Sequence, residues 1–118
     1  MVRIEQLAKA AVARDALNLR SLSQDWLAEN PRISDCAPPT DTQALIRSVA
    51  AALAELFAFR AKQAPPSWTK DVGDAGQSFF LVQAAEAMPR LRRICEEQSP
   101  MPLRKRKLFA PPNFLEFV

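Results

Sequence analysis

The side chains that could do chemistry are few and far apart. Two cysteines, Cys36 and Cys95, stand about sixty residues from each other, without the paired spacing of a zinc site. Two acidic pairs, Asp71 with Asp74 and Glu96 with Glu97, could bind a divalent cation, but such carboxylates are ordinary on a solvated surface. The chain has no histidine and no tyrosine, which removes at once the commonest general base, the relay of a nucleophilic triad and the commonest metal ligand. Its two glycines cannot build a loop that cradles phosphate. The chain therefore reads as a non-enzyme, with no catalytic residue, no metal site and no cofactor.

What remains is chemistry of recognition. Arg104, Lys105, Arg106 and Lys107 form an unbroken basic run, followed by Phe109, Pro111, Pro112, Asn113, Phe114, Leu115 and Phe117. Such a run can be a solvated face, a phosphate-binding patch or a patch for an acidic protein. The phenylalanines beside it either fold back onto the core or stand as aromatic anchors for a partner. Trp68 lies in a loop and not in a periodic segment, where it can pack over a helix end, contact a partner, or do both. The candidate partner-binding set is thus Trp68, Arg104, Lys105, Arg106, Lys107, Phe109, Asn113, Phe114 and Phe117, with the segment from Arg104 to Phe117 as its main surface.

The elements that must position these residues follow from composition. With 48% hydrophobic and 25% charged residues in a chain of 118, one folded domain is expected (1–118), with a helical body (1–103) and a basic, aromatic tail (104–118). Ala, Leu, Arg, Glu and Gln dominate and β-branched residues are sparse, so the expected fold class is all-α, a small helical bundle with an extended proline- and phenylalanine-rich C-terminal tail. No apolar run approaches a membrane span and the N-terminus lacks a signal-peptide pattern, which predicts a soluble, cytoplasmic protein with two free thiols. Residues 1–60 carry seven basic and seven acidic side chains, so the net charge of +3 arises in the second half.

Ile4, Leu7, Ala8, Ala11 and Val12 predict a helix over 3–13, and Leu19, Leu22, Trp26 and Leu27 predict a second, capped by Asp15 and stopped by Asn30-Pro31. Arg14-Asp15 is either a turn or a kink. After an irregular loop over 31–41, Thr40 and Gln43 fit a capping box for a central helix whose seam is Leu45, Ile46, Val49, Leu53, Leu56 and Phe57, with Ser48 and Glu55 off that face. Residues 65–77 read as a long connection. Ser78 is expected to open a helix through Phe80, Leu81, Ala84, Ala85 and Met88, broken at Pro89 before a segment carrying Leu91, Ile94 and Cys95. Ser99-Pro100 is a further start signal.

Pro66-Ser67-Trp68-Thr69, then Phe79-Phe80-Leu81, then Glu97, Ser99, Pro100, Pro102, Leu103, Arg104 and Arg106, and finally Ala110-Pro111-Pro112-Asn113-Phe114-Leu115, give the last half of the chain a recognisable pattern. It resembles small bacterial helical proteins encoded beside nucleotidyltransferase-type genes, in pairs like toxin–antitoxin modules. The resemblance implies a small protein, an antitoxin or similar component, that binds and restrains or positions a nucleotidyltransferase-like partner. A different reading is a small DNA-binding regulator that uses either the basic run or the N-terminal helices, where Leu7 to Arg14 resembles the first helix and turn of a helix-turn-helix. That motif is degenerate here: Ala11 occupies the place where glycine often stands, and the next segment opens with few basic groups. A minor structural or assembly subunit is the third reading.

Overall fold

The structure, a computed structural model, describes residues 1–40 and 43–116. Helix α1 (Ile4–Val12) buries Ile4, Leu7, Ala8 and Ala11, the stripe its apolar spacing predicts. It closes in a Schellman turn, in which the Asp15 N–H donates to the Ala10 carbonyl and the Arg14 N–H to the Ala11 carbonyl, both at 3.0 Å. Arg14 takes the left-handed conformation this requires, at φ 58°, so Arg14-Asp15 is a turn. The Asp15 carboxylate then accepts the Asn18 N–H and caps α2 (Ala16–Glu29).

Helix α3 (Ala44–Arg60) is central. The sequence predicts a one-sided seam, but every residue from Ser48 to Ala58 is buried, Ser48 and Glu55 included. The reason lies in its neighbours: α1, α5 (Met101–Arg104) and two 3-10 turns, Ile33–Asp35 and Ser67–Asp71, pack around it. Ala50, Ala51, Ala52, Ala54 and Ala58 present no bulk and let those elements approach closely. A helix enclosed on all sides loses the polar stripe of a surface helix. Trp26 from α2 reaches the same core and meets the Phe57 ring at 5.9 Å between centroids.

Helix α3 also ends in a Schellman turn, with the Gln63 N–H on the Ala58 carbonyl at 2.9 Å and the Lys62 N–H on the Phe59 carbonyl at 3.1 Å. Lys62 sits at φ 56°, where a Cβ is disfavoured and glycine is not. Lys62→Gly is therefore expected to stabilise the fold by about 0.5 to 1 kcal/mol. A urea midpoint that rises, with unchanged slope, checks this; a fall means that the lysine side chain contributes more than its backbone costs.

Two expectations fail on the N-terminal side of α3 and beyond it. Gln43, not Thr40, is the N-cap, and the Thr40 hydroxyl donates instead to the Glu5 carboxylate at 2.8 Å, tying the loop to α1. That hydrogen bond, helped by Arg3, holds the Glu5 carboxyl below its ordinary pKa against the effect of burial. The helix expected from Ser78 is absent. Phe79–Phe80 form a short strand, β1, paired in parallel with Leu108–Phe109, β2, a two-residue pairing within a mostly helical fold. The aromatic pair favours extended backbone, and its amide neighbours are claimed by the C-terminal segment: the Phe79 N–H donates to Lys107 and the Leu81 N–H to Phe109. A 3-10 turn at Gln83–Glu86 follows, and the break at Pro89 is present, with Pro89 as the first residue of α4 (Pro89–Gln98).

Both outer edges of this small sheet are blocked. Arg14 donates from Nε to the Phe80 carbonyl at 3.0 Å, and the Ser99 hydroxyl oxygen accepts the Ala110 N–H at 2.9 Å. The tail beyond β2 is not extended either. Phe114 N–H to Pro111 carbonyl and Glu116 N–H to Asn113 carbonyl make two successive turns, both at 3.0 Å, with Leu115 at φ 55°. Its apolar side chains have a surface to return to, and Phe114 and Leu115 pack against the core. The radius of gyration, 13.1 Å, is that of a compact chain of this length, about 13.5 Å. Among the described residues no helix is long and apolar enough to cross a membrane.

Candidate interaction surface

The basic run does not form one solvated face, because α5 and the turn after it send its four side chains to different places. Arg106 is 3% exposed and all five of its N–H donors are used. Two go to Glu55 as a bidentate pair, Nη1 to Oε1 at 2.7 Å and Nη2 to Oε2 at 3.1 Å. The others reach the carbonyls of Pro102 at 3.1 Å, Thr69 at 2.9 Å and Val72 at 3.2 Å. Arg106 thus joins the C-terminal segment to α3 and to the 65–77 connection, and it is withdrawn from any partner. Lys105 is half-exposed and places Nζ 2.8 Å from Glu55 Oε1. Arg104 is exposed and donates to the Glu97 carbonyl; Lys107 is exposed.

Burial alone would raise the Glu55 carboxyl, but hydrogen bonds from Arg106 and Lys105, with the Arg106 charge, outweigh it and hold the pKa at about 2 against an ordinary 4.5. Since the folded value is the lower one, this contribution is complete above pH 4.5 and is lost as pH falls toward 2. Urea unfolding across that interval is expected to show wild type losing about 3 kcal/mol more than Glu55→Gln. Equal losses in the two chains would assign the titration to other carboxylates.

The remaining candidates separate likewise. The Trp68 indole donates from Nε1 to the Cys36 carbonyl at 3.1 Å and is half-buried against the core. Phe109 is half-buried and meets the Phe80 ring at 5.3 Å. Phe114 is half-buried too, and its carbonyl accepts Arg60 Nη1 at 2.5 Å. Asn113 is exposed, and Phe117 lies outside the described residues. So Lys105 and Arg106 converge on Glu55 and Phe114 comes to Arg60, while Trp68 and Phe109 serve other contacts. The two thiols are free and buried; burial pushes the Cys36 thiol up to about 11 and raises that of Cys95, which keeps both protonated and unreactive at neutral pH. Among the described residues no three Cys, Asp or Glu side chains gather as a metal would need.

Sequence reasoning missed a groove of about 540 Å3 between the C-terminal end of α3, α5 and the turns after Pro111. Phe59, 74% exposed, and Met101, 61% exposed, stand on it, with Arg60, Lys105, Pro102 and Pro112. One signal was available: Phe59 falls off the seam of α3, beside Arg60, where an aromatic side chain has no core to enter. Met101, between two prolines, gave none. Comparison with protein-family models, curated proteins and solved structures finds no match.

Proposed function

We propose that the chain is a non-catalytic protein-interaction component, a small cytoplasmic helical bundle that serves as the antitoxin or small partner of a nucleotidyltransferase-like protein. The observation that supports binding most is the exposure of Phe59 and Met101 together on a concave surface beside cations. Large apolar side chains grouped in this way mark contact sites, whereas single ones do not. The missing histidine and the protonated thiols leave little for catalysis to use. The family of the partner rests on the sequence pattern that ends at Leu115.

A DNA-binding role draws less support. Helix α2, which would be the recognition helix, carries Arg20 against Asp25 and Glu29, and Arg14 in the turn is engaged by Glu86 at 2.7 Å and by the Phe79 ring. Phosphate contact needs surplus positive charge on that face. Co-expression of the tagged chain with the product of the adjacent gene is expected to yield a complex that co-elutes at a fixed ratio. Two proteins that elute separately after gentle lysis overturn the proposal.

A further inference from the structure

We infer that the groove between α3 and α5 takes an acidic, apolar-bearing segment of the partner protein, with one or two large apolar side chains against Phe59 and Met101 and a carboxylate beside Lys105. This rests on the reading of the chain as a protein-interaction component. Charge identifies the occupant. Glu55 is already met by the bidentate Arg106, so Lys105, at 2.8 Å from the same carboxylate, leaves the trio with one surplus positive charge. The Lys105 side chain is half-exposed, and its ammonium group has three donors, of which Glu55 engages one. Arg60 points both terminal nitrogens at neutral carbonyls, those of Phe114 and Pro112, and adds a second cation, on which the Glu116 charge acts; Glu116 is the one carboxylate among the described lining residues. An apolar surface flanked by two cations and one anion favours carboxylates over ammonium groups on whatever enters.

The groove is also formed in advance. Its walls are two helices, three prolines and a turn that Arg60 holds by two carbonyls, so little ordering is needed when a segment docks. Its volume is within the range of sites that enclose a small ligand or a few side chains. A nucleic acid would find two cations among the described lining residues, and an apolar floor.

The test uses the full chain, labelled with 15N, and a synthetic amphipathic peptide of about twelve residues carrying Leu and Phe one turn apart among glutamates. Saturable shifts are expected at the amides of Phe59, Met101 and Lys105, with binding at least ~10-fold weaker when each glutamate is lysine and at least ~10-fold weaker in the double variant Phe59→Gln, Met101→Gln. Both side chains are exposed, so the double variant is expected to fold, which its unperturbed spectrum elsewhere verifies. Equal binding of the lysine peptide, shifts mapping elsewhere, no shifts at millimolar peptide, or the same amides responding to duplex DNA or to self-association would overturn the inference. Repeating the co-elution with the double variant separates the two levels: an undiminished complex removes the groove and leaves the binding role, whereas no complex with wild type removes the binding role.

Discussion

Ending the chain after Leu103 is expected to abolish cooperative folding, not to release a dispensable tail. The truncation removes Leu108 and Ala110, both at zero exposure, and the Phe114 and Leu115 side chains that pack on the core. Each fully buried large apolar side chain contributes about 1.5 to 3 kcal/mol. It also removes both cations from Glu55 and strips the partners of the Phe79 and Leu81 amides. An uncompensated carboxylate alone costs about 3 to 5 kcal/mol, so the sum is comparable to the whole stability of a domain this size, about 5 to 15 kcal/mol. A broad, non-cooperative melt by circular dichroism is the expected outcome. A truncated chain that melts sharply near the wild-type temperature would mean that residues 104–118 are a separable tail after all.

Glu55→Ala is expected to cost about 3 to 5 kcal/mol, because it leaves the Arg106 guanidinium buried without a counter-charge. Arg106→Ala should cost as much or more, since the carbonyls of Thr69, Val72 and Pro102 lose a donor as well. Lys105→Ala, at a half-exposed site, should cost under about 1 kcal/mol. The double change Glu55→Met, Arg106→Met removes both charges together and should recover part of the loss, though not the part owed to the three carbonyls. Urea unfolding of the four variants measures this; a Glu55→Ala chain as stable as wild type would show that the pair does not hold the segment.

Much of the helical fold was legible because it is local. The stripes of α1 and α2, the Asp15 cap and the break at Pro89 each depend on residues a turn or two apart. What was hidden depends on partners distant in the chain. Phe79-Phe80 lies in a stretch with helix-forming neighbours, and only pairing with Leu108 and Phe109 makes it a strand. Glu55 looks like the solvent side of an amphipathic helix until Arg106, 51 residues on, is brought against it. Four consecutive cations read as one patch, yet the left-handed turn at Lys107 and the pull of Glu55 bury one and leave its neighbours outside. The groove could not be read at all as a unit, since α3, α5 and the turn at Pro112 each supply a few residues.

The reading of this chain as a protein-binding component, and not a DNA-binding one, is tested most directly by calorimetric titration of the purified full chain with the adjacent-gene product and, separately, with duplex DNA. The expected result is a saturable, stoichiometric heat with the protein and none with the DNA. Saturable binding to DNA that weakens steeply with salt, with no heat from the protein, would contradict it.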